Sequence, residues 1–337
     1  MIAIEYHADL KEVQSLAHLS GLLSADMQAA PFDRLAWWMG LVEHCGRAPL
    51  LAVAREGDAM AVLALQHMPG HLAALANWYT FRWRPVASAN ADLPALLSAL
   101  ARDLARRSGR IVLSGLPDED GSATMIEAAF RRAGWLVFRE ASDTNHILDV
   151  GGRTYDDYLA ARPGPLRTTL KRKSGKVETR VLDRFDAETW RDYEAIYAQS
   201  WKPDEGSPAF LRDFAASEGS AGRLRLGLAL ADGRPVAAQM WSVEGGTAFI
   251  HKLAHIEEAK PLSPGSVLSA ALFRRVIDGD RVHTIDFGTG DDSYKRDWME
   301  LARPRYRLDM VRAGRPENWP YLVKRTLRSL AGRGKHG

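Results

Sequence analysis

Apolar residues recur along the second half of the chain at the spacings typical of strands and helices. Two apolar runs flank a turn centred on Gly233, which predicts a β-hairpin. A third strand, a helix with an apolar face and a buried strand are predicted after it. In order, these elements occupy residues 226–230, 236–240, 248–253, 267–277 and 282–287. They predict an α+β unit.

The same order of elements occurs in the first half. A hairpin over residues 50–66 turns near Gly57 and is followed by predicted strands, a helix and further strands. The predicted elements after the hairpin are strand 72–79, helix 94–107, strand 111–113, helix 124–133 and strands 135–138 and 146–150. Four elements recur in one order about 170 residues apart, which indicates two copies of one unit. We expect two tandem domains, residues 1–152 and 153–337, each a mixed, mainly antiparallel twisted sheet flanked by helices.

Composition limits the class of protein. The chain has 337 residues, 46% hydrophobic content and a formal net charge of +3, as expected for an ordinary globular protein of two domains. It has no apolar run long enough for a membrane span, and its first residues do not resemble a signal peptide. A single cysteine, Cys45, excludes an intrachain disulfide. We therefore predict a cytoplasmic protein without stable membrane insertion or a bound metal.

The start of the helix predicted at residue 267 has the residues of an anion-binding turn. Pro264 suits the first helical turn, Ser263 or Ser266 can cap the helix, and Gly265 keeps the backbone accessible. The first N–H groups of a helix lack internal partners and carry partial positive charge. This turn is therefore predicted to bind a phosphate.

A second group of polar residues follows the strand over residues 282–287. Asp286, Tyr294 and Lys295 lie near its exit, where Gly288 predicts a turn. A carboxylate, a phenol and an amine in one place can move protons and steady negative charge. The structural alternatives are that Asp286 caps the turn and that Tyr294 only packs.

Ser263-Pro264-Gly265, a helix, Asp286-Phe287-Gly288, then Tyr294-Lys295 and Trp298 resemble the signature of FemAB-like and CelD-like members of the Gcn5-related N-acetyltransferase (GNAT) superfamily. The resemblance extends over residues 155–312 and implies two tandem GNAT-like domains. It implies a sheet that opens between its fourth and fifth strands to admit acetyl-CoA or another acyl-CoA.

The resemblance also assigns roles. The pyrophosphate would lie on Ser263, Gly265, Ser266 and Val267, and backbone N–H groups near Leu253 would hold the acyl carbonyl. The commonest pattern in this superfamily has a more glycine-rich phosphate turn and a characteristic side chain ahead of it. In this chain, Lys260 would take the place of that side chain. The first copy has Asp92 in front of its helix and no Tyr-Lys pair, so we expect the acyl-CoA to bind the second copy.

Candidate roles in the chemistry are assigned on the same basis. Asp286, or His251 through a water, is the candidate base, Tyr294 the candidate acid, and Lys295 the group that steadies negative charge. Gln239 and His251 are candidate substrate contacts if their strands face the cleft. Six basic residues between Arg167 and Arg180 form either a solvated helix end or an anion-binding wall, and Arg172 is the candidate substrate contact among them.

We therefore predict an acyl-CoA-dependent N- or O-acyltransferase that acts on a polar metabolite or on a saccharide or cell-envelope precursor. Two alternatives stay open: an aminoacyl-tRNA-dependent transferase of the peptidoglycan type, for which tRNA is a less favoured partner, and a non-catalytic binding protein with the same fold. A basic amphipathic helix is predicted over residues 322–335.

Overall fold

The computed structural model describes residues 1–333, which form one mixed sheet with helices on both faces. The N-terminal half contains β1 (Ala3–His7), α1 (Leu10–Ser15), α2 (Ala17–Leu22), α3 (Leu35–Cys45), β2 (Pro49–Glu56), β3 (Ala59–Met68), β4 (His71–Ala74), β5 (Val86–Ala87), α4 (Leu93–Arg107), β6 (Arg110–Leu116), α5 (Ser122–Arg132) and β7 (Leu136–Asp149). The C-terminal half contains α6 (Tyr155–Ala160), α7 (Gly164–Lys173), β8 (Glu178–Leu182), α8 (Ala187–Ala198), α9 (Pro208–Ser220), β9 (Leu224–Ala231), β10 (Arg234–Glu244), β11 (Thr247–His255), α10 (Pro264–Arg274), β12 (Thr284–Thr289), α11 (Ser293–Trp298), β13 (Leu301–Val311) and α12 (Trp319–Arg333).

The sheet has two halves with the same internal order. Strands run β1-β2-β3-β4-β6-β13 and then β7-β12-β11-β10-β9-β8. In each half the parallel contact falls at the equivalent place, between β4 and β6 in the first and between β11 and β12 in the second. The other neighbours are antiparallel, and β2 with β3 and β9 with β10 form hairpins. The predicted α+β fold of two tandem units is confirmed.

The two halves of the chain exchange one strand. β13, from the C-terminal half, pairs with β6 of the first unit, and β7, from the N-terminal half, pairs with β12 of the second unit. β7 and β13 also pair with each other along most of their length, from Leu136↔Val311 to Ile147↔Leu301. Each half of the sheet is therefore completed by a strand from the other half of the chain. The division at residues 152 and 153 stays a prediction about independent domains.

Two local predictions differ from the structure. The strands predicted over residues 135–138 and 146–150 are one strand, β7, whose polar middle section from Glu140 to Thr144 is held by pairing with β13. The strand predicted over residues 72–79 ends at Ala74: after one further bond to β3, from Leu75 N to Ala64 O, the chain turns at Asn77, whose Oδ1 accepts from Tyr79 N. Long-range pairing decides the first case, and turn hydrogen bonds decide the second.

A buried ionic cluster joins the two units away from the sheet. Arg34, from the segment before α3, is 4% exposed and donates to Glu218 of α9 at 2.9 Å. It also pairs with Glu244 at the end of β10. Burial lowers the pKa of Arg34, and the neighbouring Glu218 carboxylate opposes that shift. These contacts fix the first unit against the second.

The last helix, α12, extends to Arg333, the end of the described residues. The final part of the basic segment predicted over residues 322–335 lies outside them. In residues 1–333, no helix combines the length and apolar character needed to span a bilayer.

Candidate active site

The sheet opens between β11 and β12. The two strands pair in parallel at three positions, from Thr247↔Thr284 to Phe249↔Asp286. Beyond that point β11 carries a bulge at His251, where its register against β10 shifts, and β12 reaches Gly288 with φ of +68°. Bulges bend a strand and increase its twist, which separates it from a neighbour. The gap predicted between the fourth and fifth strands of the second unit is therefore present.

Two structural features require glycine at position 288. Its positive φ is costly for residues with a Cβ, and a Cβ placed there would lie 2.9 Å from Cε1 of Phe81. Phe81 belongs to the N-terminal half, between β4 and β5. An aromatic ring from the first unit therefore packs against the turn that ends β12 in the second unit.

The opening contains a cavity of about 340 Å³, which we call the strand-gap cavity. Its walls come from both units. It is lined by Trp78, Phe81, Tyr197, Trp201, Lys202, Pro203, Ile250, His251, Lys252, Leu253, Phe287, Gly288, Thr289, Asp292, Tyr294 and Lys295. Because Trp78 and Phe81 come from the first unit, that unit shapes the opening of the second.

A neighbouring cavity of about 490 Å³, the helix-start cavity, lies at the beginning of α10. It is lined by Leu166, Trp201, Leu253, His255, Glu257, Lys260, Ser263, Pro264, Gly265, Ser266, Ser269, Phe287, Tyr294, Asp297 and Trp298. Four residues, Trp201, Leu253, Phe287 and Tyr294, line both cavities, so the two adjoin. The structure thus brings the predicted phosphate turn and the residues after β12 to one place.

The start of α10 differs from the prediction in its cap. Pro264 occupies the first turn as expected, but Ser263, the residue before the helix, makes no side-chain capping bond and has φ of +51°. Ser266 lies inside the helix. A Cβ on Gly265 would have its nearest neighbour, His255 Nδ1, at 3.7 Å, so the approach to this backbone is open. The N–H groups of Gly265 and Ser266 belong to the first turn, where a helix offers them no acceptor.

The N-terminus of the equivalent helix of the first unit, α4, is capped by a side chain. Asp92 caps α4, and its carboxylate accepts a bond from Ala95 N at 3.1 Å. The carboxylate occupies the place where an anion would bind and would repel one. This contrast supports the prediction that the second unit binds the phosphate.

The buried side chain of Gln239 is hydrogen-bonded to the first turns of α10. It is fully buried, and its Nε2 donates to Gly265 O at 3.0 Å and to Ser269 Oγ at 2.8 Å, while its Oε1 accepts from Trp241. It lines neither cavity. The side chain therefore positions the turn, and the prediction of a direct substrate contact by Gln239 is not supported.

Tyr294 and Lys295 open α11 beside the gap. Tyr294 lines both cavities, and burial, aided by the charge of Asp292, raises the pKa of its phenol, so it stays protonated. Lys295 is 5% exposed, and its Nζ donates to Thr289 O. Burial lowers the pKa of Lys295, and the carboxylates of Asp292 and Asp143 oppose that shift. A proton donor and a cation thus flank the opening.

Asp286 lies behind the opening. Its carboxylate accepts bonds from Asn145 Nδ2 at 2.7 Å and from Gly288 N at 2.8 Å. Arg305 of β13 donates to Asn145 Oδ1 at 2.6 Å, so the network crosses the exchanged strands. Burial raises the pKa of Asp286. Because Asp286 lines neither cavity, the geometry supports the alternative in which it fixes the Gly288 turn.

His251 faces the strand-gap cavity among aromatic rings, with Phe214 and Phe81 at centroid distances of 5.0 and 5.3 Å. Its Nε2 lies 2.8 Å from Ser242 Oγ. Burial, with the charges of Lys252 and Arg34, lowers the pKa of His251 to about 3. Protonating it at neutral pH costs roughly 5 kcal/mol, since each pKa unit is worth 1.36 kcal/mol. His251 is therefore a poor general base, although it remains placed to contact a substrate.

The other predicted residues divide between the cavity and its surroundings. Lys260 lies at the rim of the helix-start cavity and pairs with Glu257 at 3.8 Å. Val267 is buried beneath the turn and can contribute only its backbone. Arg172, on the last turn of α7, is exposed and lines neither cavity, although Leu166 of the same helix lines the helix-start cavity.

Four residues that the sequence interpretation overlooked line the strand-gap cavity: Trp78, Lys202, Lys252 and Asp292. Lys252 donates to Glu205 Oε1 at 2.9 Å, and its ammonium lies 4.3 Å from the centroid of the Trp78 ring. Asp292, next to the Tyr294-Lys295 pair, and Lys252, between His251 and Leu253 on β11, had a signal in the sequence. Trp78 and Lys202 come from distant loops. Within residues 1–333, no group of three or more metal-ligating side chains is present.

Comparisons with known proteins agree with this geometry. The family model described as an acetyltransferase (GNAT) domain matches residues 164–296. No curated protein matches the chain.

Three solved structures share the fold at low identity. The C-terminal domain of a putative lysylphosphatidylglycerol synthetase from Agrobacterium fabrum has 12% identity and a TM-score of 0.60, with 95% of this chain and 97% of that chain covered. FemX has 11% identity and a TM-score of 0.60, with 90% and 96% covered. A tandem GNAT protein from the clavulanic acid biosynthesis pathway has 14% identity and a TM-score of 0.53, with 91% and 98% covered. At this identity the likeness shows a shared fold.

Proposed function

We propose that this chain, which carries a GNAT domain over residues 164–296 within a tandem GNAT fold, is an acyl-CoA-dependent N- or O-acyltransferase. The observation that supports this most directly is the adjoining pair of cavities. One presents the open start of α10, and the other, of about 340 Å³, is lined by Tyr294 and Lys295. The finer assignment to FemAB-like or CelD-like enzymes is part of the proposal.

The helix-start cavity suits the donor. Backbone N–H groups of Gly265 and Ser266 would bind the pyrophosphate, with Lys260 at the rim supplying a positive charge. The pantetheine arm would run between Leu253 and Tyr294, which line both cavities. Beyond Phe249, β11 has no β12 partner, so its exposed backbone edge can donate to the acyl carbonyl.

The chemistry is a direct transfer. The acceptor nitrogen or oxygen attacks the thioester carbon, the carbonyl oxygen becomes negative, and the C–S bond then breaks. Tyr294 would give its proton to the departing thiolate. Asp292, the carboxylate that lines the strand-gap cavity, would take the proton from the acceptor, directly or through a water. Lys295, whose Nζ donates to the Thr289 carbonyl, would stabilise the negative charge that develops during the reaction.

The acceptor is proposed to be a polar metabolite or a saccharide or cell-envelope precursor, and the location to be the cytoplasm. Isothermal titration with acetyl-CoA tests the donor. We expect binding in the micromolar range, and the Asp92→Asn variant, at the equivalent helix of the first unit, should bind equally. No heat of binding at millimolar acetyl-CoA would refute the proposal.

A second candidate is an aminoacyl-tRNA-dependent transferase. It is favoured by the exposed cations Lys171 and Arg172 at the end of α7, the helix whose Leu166 reaches the helix-start cavity. A basic patch of this kind can bind a phosphate backbone, and such binding weakens steeply with salt. Charged tRNA that binds with a steep salt dependence, combined with absent acetyl-CoA binding, would favour this candidate.

A further inference from the structure

Three lysines line the strand-gap cavity, and two of them have internal partners. Lys252 donates to Glu205 Oε1, and Lys295 donates to Thr289 O. Lys202 differs from both. Its Nζ lies 5.7 Å from the centroid of the Trp201 ring, and among the described residues it forms no ion pair.

A part-buried ammonium without an anion is unusual, since lysines that leave water are normally paired. The neighbouring charges make the position less favourable. Burial, together with the charges of Lys252 and Lys295, lowers the pKa of Lys202 to about 8, against the opposing effect of Asp292 and Glu205. Lys202 thus lies near carboxylates but, in residues 1–333, its ammonium forms no ion pair or hydrogen bond with one of them.

Lys202 also stands at a boundary between two cavities. Together with Tyr197 and Pro203 it separates the strand-gap cavity from an aromatic cavity of about 330 Å³. The aromatic cavity is lined by Trp190, Tyr193, Glu194, Tyr197, Ala198, Lys202, Pro203, Asp204, Glu205, Pro208 and Leu211. An acceptor that extends from the aromatic cavity into the strand-gap cavity would pass Lys202.

Building on the proposed function, we infer that Lys202 binds an anionic group of the acyl acceptor, a carboxylate or a phosphate, while the acceptor's amine or hydroxyl lies in the strand-gap cavity. The anion would complete the ion pair that Lys202 lacks. The bound acceptor would stack against Trp78 or Trp201, the exposed rings at the mouth of that cavity. Neutral or cationic acceptors would leave the ammonium unpaired and bind more weakly.

The test uses acceptor pairs that differ in one anionic group. Glucosamine 6-phosphate with glucosamine is the phosphate arm, and 4-aminobutyrate with its amide is the carboxylate arm. Calorimetric titration measures each ligand with and without saturating CoA. We expect the anionic member of at least one pair to bind tenfold or more tightly, because hydrogen bonds between charged groups are stronger than those between neutral groups.

Substitutions at Lys202 test whether this residue causes the preference for the anionic ligand. Lys202→Gln should remove the preference within the pair, Lys202→Arg should retain it, and Lys11→Gln, an exposed lysine on α1, should leave it unchanged. The preference should also weaken as pH rises from 7 to 9, because the Lys202 ammonium loses its proton near pH 8. Thermal unfolding of each variant verifies that it is folded.

The outcomes separate the two proposals. Equal binding within both pairs, or a preference that survives Lys202→Gln, overturns the role of Lys202 in binding the anionic group. That result would leave acetyl-CoA binding untouched. Preference for the anion in a protein that does not bind acetyl-CoA would support the Lys202 site and refute the acyltransferase proposal.

Discussion

Replacing Gly288 with alanine should destabilise the protein at the turn that opens the sheet. The residue has φ of +68°, and its new Cβ would lie 2.9 Å from Cε1 and 3.0 Å from Cζ of Phe81. The left-handed backbone costs a residue with a Cβ about 1–2 kcal/mol. The stiffer unfolded chain offsets about 0.4–1 kcal/mol of this. Crowding against a packed ring adds about 1–3 kcal/mol. The sum is a loss of about 1–5 kcal/mol, centred near 3 kcal/mol.

A matched variant separates the two causes. Gly233 has φ of +73° in the β9–β10 turn, and a Cβ there would meet no atom within 4 Å. Gly233→Ala should therefore show the backbone cost alone, about 1 kcal/mol. Urea unfolding followed by tryptophan fluorescence gives both free energies.

A double-mutant cycle then isolates the contact. Phe81→Leu shortens the side chain that faces Gly288, so the combination with Gly288→Ala should lose less stability than the sum of the two single changes. The Gly288→Ala variant should also lower the proposed acyltransferase activity, since Thr289, whose carbonyl accepts from Lys295, is the next residue. If Gly288→Ala is no more destabilising than Gly233→Ala, the argument that Phe81 wedges the turn is refuted.

Three further predictions follow from the same structure. Tyr294→Phe should lower kcat by about 10²–10⁴-fold, the usual contribution of a general acid. The calorimetric Kd for acetyl-CoA should change little. An unchanged kcat would exclude the phenol as the acid. Gly265→Val should weaken acetyl-CoA binding tenfold or more by obstructing the open start of α10, with denaturation showing a folded protein; unaltered affinity would place the phosphate elsewhere. Arg34→Met should cost about 3–5 kcal/mol in urea unfolding, because buried Glu244 then keeps, among the described residues, only Arg223 at 3.7 Å while Glu218 keeps its bonds to Arg223. A loss below about 1 kcal/mol would show that the cluster does not hold the units together.

Local patterns in the sequence predicted much of the fold. The hairpins at residues 50–66 and 226–240, the helix that follows Pro264 and the order of elements in both units depend on periodicities of two and 3.6 and on turn residues. Such signals come from neighbours in the chain. For the same reason the open turn at Gly265 and the Tyr294-Lys295 pair were found as candidates before their surroundings were known.

Long-range contacts decided the rest. Asp286 reads as a candidate base in sequence, but Asn145 from β7 turns its carboxylate toward the sheet junction. The exchange of β7 and β13 also leaves no local signal, because either strand could complete either half of the sheet by its pattern alone.

The sequence by itself thus determined two copies of an α+β unit and the candidate residues that distinguish the second copy from the first. Tertiary structure decided that the first copy would place Trp78 and Phe81 at the opening and that Lys202 would lie there without an ion pair among residues 1–333. The physical reason is that helix and strand patterns are set by residues a few positions apart. Burial and charge at a site depend on side chains brought together from far along the chain.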